Sequence, residues 1–306
     1  MRALEKRMIP RMNGEAVTFL GFGGLEIGRD WGMGTDTKRP EEAVAGEVLN
    51  TVLDAGINLI DTASAYHRSE ERIGKFISSR RSEYILASKC GEHSSEPSTY
   101  YDFSYDAVTR SIDESLLKLK TDVIDLMQIH FGPDPSKVLD DGETVRAMKD
   151  ARKAGKIRFL GASIDGDLAA RCIASDDFDV MQMACNLEMR GNLKNIETCR
   201  EKGIGVLIRC GLGNGLFTPR VLSFKDRLRP ETRVRLQSAL DLIGLPEEQG
   251  IQVLMAMDMR FLYEIPGISS VIIGTKKPEN ISRNMALMDL ETDDALFEQI
   301  KTVFAR

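Results

Sequence analysis

Short apolar runs alternate with amphipathic ones from one end of this chain to the other, and that alternation restricts the fold more than any single motif. Strand-like runs fall at Thr18–Gly21, Asn58–Ile60, Tyr84–Ser88, Val123–Ile129, Phe159–Ala162, Asp179–Met183, Gly205–Ile208 and Ser270–Ile273. Between them lie helical patterns near Glu41–Ala55, Glu70–Ser79, Tyr105–Leu119, Gly142–Ala154, Leu168–Ala174, Leu193–Lys202, Pro230–Tyr263 (with a break around Gly244–Pro246) and Pro278–Met288. Apolar runs bounded by turn residues fit strands covered on both faces, as a parallel sheet requires. Strand followed by helix, repeated eight times, predicts a (β/α)8 barrel of the TIM type. The rival is an open doubly wound sheet, whose glycine-rich turn leads straight into a helix. Here Gly21-Phe22-Gly23-Gly24 closes the first strand, but Arg29-Asp30-Trp31-Gly32 intervenes before any helix. No linker or low-complexity tract interrupts the pattern, so residues 1–306 are expected to form one domain.

Composition excludes several function classes. Lysine and arginine number 41 against 47 acidic residues, a net charge of −6, which gives no electrostatic case for nucleic acid or an anionic membrane. No run approaches the roughly eighteen apolar residues of a membrane span. The opening residues, MRALEKRMIPRMNGE, are basic but lack the apolar segment of a secretory signal. Cys90, Cys172, Cys185, Cys199 and Cys210 are odd in number and include no C-x-x-C pair. They make neither a disulfide framework nor a thiolate metal site, and a reducing cytoplasm is the expected location. The sequence sets no oligomeric state.

In barrels of this type chemistry sits at the C-terminal ends of the strands. The second predicted strand ends at Asp61, with Tyr66 in the loop that follows; the third ends in Lys89 and the fourth in His130. Taken singly, Asp61 caps a turn, Tyr66 walls the core, Lys89 snorkels and His130 is a satisfied core histidine. Taken together, four such residues converge on one mouth of one barrel. A phenol has an ordinary pKa near about 10, and a neighbouring ammonium stabilises its phenolate. Lys89 supplies that charge, Asp61 holds Lys89 protonated and aimed at Tyr66, and His130 orients the same substrate oxygen. This is a site for polarising a small carbonyl compound, with Tyr66 as general acid. It has no nucleophile and no metal, so the electrons must come from a bound carrier such as a nicotinamide.

The stretch GINLIDTASAY-x-x-SE-x-x-IG, from Gly56 to Gly74, resembles the hallmark of the aldo-keto reductases. The resemblance runs from LGFGG at Leu20–Gly24 through SLLKLKTDVIDLMQIH and AGKIRFLGAS to SSVIIGTKKPENISRN. It implies a (β/α)8 barrel that reduces aldehydes or ketones with NADPH, NADH being the other candidate cofactor. It also implies Asp61, Tyr66, Lys89 and His130 as a catalytic tetrad. For the cofactor it implies Gly23 after the first strand, Ser163 and Gln182 at the nicotinamide carboxamide, and Gly211, Leu212 and Gly215 in a pyrophosphate loop. Gly274, Thr275, Lys276 and Lys277, with Asn280, Arg283 and Asn284 on the following helix, would meet the adenosine phosphate, where a helix N-terminus offers N–H donors.

The family pattern slips in places. Ile164 stands where an asparagine is expected after Ser163, and Arg209 replaces the usual aromatic on the nicotinamide, as in a branch common in bacteria. An arginine stacks on flat rings and also donates to phosphate; at a strand end it also pairs with an acid. Asn280 takes the place of the arginine often used for the 2′-phosphate. His67, His93, Glu92 and Cys90 near His130 lack the short spacing of metal ligands, and Lys89 among them would repel a cation. His93 or Glu92 is better read as lining the substrate pocket. The alternative function is a nucleotide-binding regulatory or accessory barrel with little turnover, motivated by Ile164 and Arg209 and opposed by the intact tetrad.

Overall fold

The structure, a computed structural model, describes residues 1–305. Twelve strands form in chain order: β1 (Lys6–Ile9), β2 (Glu15–Thr18), β3 (Leu20–Gly23), β4 (Leu59–Asp61), β5 (Ile85–Cys90), β6 (Glu92–Ser95), β7 (Ser98–Tyr101), β8 (Ile124–His130), β9 (Ile157–Ser163), β10 (Val180–Ala184), β11 (Gly205–Arg209) and β12 (Ser270–Ile273). Eight of them close a barrel in the order β3-β4-β5-β8-β9-β10-β11-β12, with β12 returning to β3. Every pair in the ring is parallel. The barrel strands are buried almost throughout, which explains why they read as apolar runs without alternation.

The helices follow the expected order, with Tyr105–Leu119 and Leu193–Lys202 at the expected bounds. The long pattern after residue 229 divides into Pro230–Ile243 and Glu247–Glu264, because Gly244 takes a left-handed φ of 68° that closes the first helix. A last helix, Asp294–Ala305, packs Phe304 edge-to-face on Phe217.

Two antiparallel hairpins lie outside the ring. The first, β1–β2, was not expected. Thr18 belongs to it, and the first barrel strand begins at Leu20 rather than at Thr18, because only Phe19 separates the two elements. Ile9, Met12 and Val17 of this hairpin pack with Leu59, Ala87, Leu126, Phe159 and Val180 from the barrel strands and close its N-terminal end. The second hairpin, β6–β7, rises directly from β5 at the opposite end. Among the described residues no helix is long and apolar enough to cross a membrane.

Register carries this architecture into the site. Asp61 pairs with Gly23 on one side and Ala87 on the other; Lys89 pairs with Gln128, His130 with Ser163, Ser163 with Gln182, and Ala184 with Arg209. The side chains singled out from sequence therefore stand around one rim.

Candidate active site

Lys89 and Asp61 form the buried centre, 1% and 3% exposed. Lys89 Nζ donates to Asp61 Oδ2 at 2.5 Å and to the Thr62 carbonyl at 2.9 Å. Asp61 Oδ1 accepts from the amides of Gln128 at 3.0 Å and Gln182 at 2.9 Å. Four strands thus meet on one carboxylate, which satisfies the requirement that a buried charge be paired and hydrogen-bonded. Burial alone would pull the Lys89 ammonium down, but Asp61 and Tyr66 beside it together outweigh that and hold it above its ordinary value.

Tyr66 sits above this pair, with Lys89 Nζ 5.1 Å from its ring centroid. Its ring meets that of His130 edge-to-face, centroids 5.8 Å apart. Burial pushes the phenol above its ordinary value, more than Lys89 pulls it down. This reverses the expectation from sequence that the ammonium would lower it: the chain had shown Lys89 but not the depth of the pocket. The backbone of the tyrosine loop is fixed by Gly28. A Cβ there would lie 2.1 Å from the Tyr66 carbonyl oxygen, so only glycine lets the helix Leu25–Gly28 approach so closely.

Glu92, the first residue of β6, is 7% exposed. Its Oε2 lies 2.9 Å from His130 Nδ1 and its Oε1 3.8 Å from Arg29. Burial opposes its charge, yet His130, Thr99 and Arg29 together hold the carboxyl below its ordinary value. Burial also lowers His130 in spite of Glu92. His67 and His93 are engaged elsewhere, His67 Nδ1 with Ser94 at 2.7 Å and His93 Nε2 with the Asp102 carbonyl at 3.0 Å.

A cavity of about 1110 Å³ opens over this centre and extends as a groove toward β11 and β12. Asp61, Tyr66 and His130 line it, together with every residue that the resemblance implied for the cofactor, from Gly23 to Asn284. Lys89 is not on its wall and stands behind Asp61 and Tyr66, which are; of the two residues expected to line the substrate pocket, Glu92 does and His93 does not. The groove accommodates an extended ligand. Gly274 is exposed at its floor, and a side chain added there would meet the Gly23 carbonyl at 3.3 Å and Glu26 at 3.6 Å. Gln128 Oε1 is buried without a partner among the described residues. A long cleft with a glycine cradle, a Ser163–Gln182 pair and cations at the far end fits a nicotinamide dinucleotide.

Several cofactor candidates already have protein partners. Gln182 donates to Asp61 and its Oε1 accepts from Ser163 Oγ at 3.2 Å. Arg209 Nη2 pairs with Asp165 Oδ2, while Asp165 Oδ1 accepts from Ala184 N and Asn192 Nδ2, both at 2.8 Å. Asn280 donates to Thr275 Oγ1 at 3.1 Å. Lys276 is 8% exposed, and its ammonium donates to the carbonyls of Asp36 at 2.8 Å and Lys38 at 2.7 Å. Lys277 and Arg283 are exposed on the same wall. Arg220 reaches across from the loop after β11 to the carbonyls of Met33, Trp31 and Asp36 at 2.9, 3.2 and 2.5 Å.

Gln128, Asp165 and Arg220 were missed from sequence. Gln128 lies mid-strand, where packing is the usual role, and the other two act through loops whose approach no local pattern encodes.

The signature of the Aldo/keto reductase family matches residues 19–304, and the chain belongs to that family. It is similar to the oxidoreductase YqkF of Bacillus subtilis, 28% identical over 87% of this chain and 89% of that protein. It is 27% identical to the L-galactose dehydrogenase of Arabidopsis thaliana over 95% and 93% of the two chains. Among solved structures, an aldo-keto reductase of Bacillus halodurans in its holo form superposes with a TM-score of 0.76, covering 99% and 97% of the two chains at 22% identity, a likeness of fold. The chain is an NAD(P)H-dependent oxidoreductase on a single closed eight-strand barrel.

Proposed function

We propose that this protein reduces an aldehyde or ketone to an alcohol with NADPH, and that Tyr66 donates the proton. The observation that carries the reading is the buried Lys89–Asp61 pair set directly behind the Tyr66 phenol, which lines the cavity. A nicotinamide held in the groove would supply the hydride for the carbonyl carbon. The Tyr66 hydroxyl hydrogen-bonds the carbonyl oxygen and passes its proton to it. A phenol held above its ordinary value stays protonated at neutral pH, as a proton donor must. As negative charge develops on the phenol oxygen, the fixed ammonium of Lys89 stabilises it without reorganisation. Asp61, with three donors on its carboxylate, keeps that ammonium charged and in place.

Replacing Tyr66 by phenylalanine is expected to leave the NADPH dissociation constant within a few-fold of wild type. Carbonyl reduction should fall by roughly 100- to 10,000-fold, the contribution of a positioned general acid. Stopped-flow turnover with a short aldehyde panel tests this; a variant with wild-type chemistry would remove Tyr66 from the role. A second reading, a nucleotide-binding accessory barrel, is favoured by the engagement of Gln182 with Asp61 and Arg209 with Asp165. Tight NADPH binding without oxidation on any carbonyl would select it.

A further inference from the structure

Gln128 lies within β8, paired in register with Lys89 of β5 on one side and Gly161 of β9 on the other, and it is fully buried. It is not on the cavity wall. Its Nε2 donates to Asp61 Oδ1 at 3.0 Å. Turned the other way, the amide would set its carbonyl oxygen against a carboxylate oxygen, two acceptors in contact, so Asp61 fixes its orientation. The other end of the amide meets nothing: Oε1 is buried with no donor among the described residues. The barrel also gives up a side chain to seat it, since a Cβ on Gly161 would stand 2.8 Å from Gln128 Cγ. An apolar residue of the same shape would remove the unmet carbonyl. Packing therefore does not account for a glutamine here; its one side-chain bond, to Asp61, does.

Asp61 divides its two oxygens. Oδ2 meets the ammonium of Lys89, and Oδ1 takes the amides of Gln128 and Gln182. The division matters to Tyr66, because Lys89 pulls the buried phenol down while the charge of Asp61 pushes it up. Donors on Oδ1 draw charge away from Oδ2 and keep the carboxylate from turning both oxygens onto Lys89. The two amides are not equivalent. Gln182 lines the cavity, and its Oε1 is already shared with Ser163, where a nicotinamide would call on it. Gln128 has no second partner and no route to a ligand, so its bond stays in place when Gln182 is drawn toward the cofactor.

We infer that Gln128 is a positioning residue for the reduction: it holds the Asp61 carboxylate in place through the cycle and thereby sets how readily Tyr66 gives up its proton. This rests on the reductase reading above, and Gln128 acts on substrate only through Asp61, Lys89 and Tyr66. Without it, the charge of Asp61 is less compensated and the carboxylate is free to claim more of Lys89. Both changes leave the phenolate less stabilised, so both make Tyr66 a weaker acid and move its titration to higher pH.

The test is Gln128→Met, which keeps the unbranched length and removes the amide. Single-turnover reduction of a short aldehyde by NADPH should slow by roughly 3- to 10-fold, part of the about tenfold or more that a hydrogen bond to a charged group is worth. The alkaline limb of its pH profile, which reports the proton donor, should move up by about half to one unit, the same factor read as a titration. The NADPH dissociation constant from fluorescence titration should stay close to that of wild type, whereas Gln182→Met should raise it. Should Gln128→Met fail to fold, Gln128→Leu repeats the test. An unchanged rate would overturn the inference; so would a slower rate with the limb unmoved, which is what a mere loss of packing gives. NADPH affinity that falls with Gln128→Met and not with Gln182→Met would also overturn it. Wild-type protein that reduces no carbonyl at all would instead bring down the reductase reading, and this inference with it.

Discussion

Arg209 and Gln182 occupy the rim expected of them, yet each is bonded to an acid of the protein, Asp165 and Asp61. These contacts differ in strength. The Arg209–Asp165 pair is about one-third exposed on both sides, 34% and 38%, and a pair so placed contributes at most about 1 kcal/mol. A cofactor phosphate or ring can therefore take the guanidinium over at little cost. Replacing Arg209 by alanine is expected to change urea-unfolding stability by less than about 1 kcal/mol while weakening NADPH binding several-fold in a fluorescence titration. Unchanged affinity together with a large loss of stability would make it a structural arginine. Asp61, Tyr66, Lys89 and His130 were legible because strand ends in a barrel share one rim, so position along the chain translated into position in space. The role of Glu92 was only half legible. Its place near the mouth could be read, but its contact with His130 depends on a hairpin folding back through Gly91. The direction of the Tyr66 shift was illegible, since burial is a property of the assembled pocket.

At the scale of elements, the eight barrel strands announced themselves because each is buried on both faces. The hairpins did not. Residues Lys6–Ile9 carry charge and apolar groups in no clear alternation, and Glu92–Ser95 with Ser98–Tyr101 are mainly polar. Their order comes from what they pack on. The short helix Leu25–Gly28 was likewise hidden, and it has a specific duty toward the tyrosine loop: Arg68 N donates to the Gly28 carbonyl at 3.3 Å, and the two backbones touch. Replacing Gly28 by alanine must move one of them. The expected cost is about 1–3 kcal/mol of stability, typical of overpacking. Turnover should fall by more than that loss alone explains, because Tyr66 shifts with its loop. Denaturant unfolding beside single-turnover reduction separates the two effects; a destabilised variant with wild-type chemistry would show that the loop gives way elsewhere.

Across the whole molecule the net charge is −6, so positive charge in the groove is a local arrangement. Lys277 and Arg283 are exposed on its far wall, whereas Lys276 is buried and committed to the carbonyls of Asp36 and Lys38. Preference for the 2′-phosphate of NADPH should accordingly depend on Lys277 and Arg283. Their joint replacement by alanine is expected to weaken NADPH binding by about tenfold or more, as loss of charge-assisted contacts does, and to spare NADH. Raising salt from about 0.01 M to 1 M should narrow the wild-type preference, since the Debye length contracts from about 30 Å to about 3 Å. Equal losses for both cofactors, or a salt-independent preference, would place recognition elsewhere. Lys276 and Arg220 remain, and their bonds tie the segment from Trp31 to Lys38 across the groove to the loops beyond β11 and β12. Such a strap crosses the cleft from wall to wall, so a long molecule lying beneath it would enter or leave only as those two side chains let go.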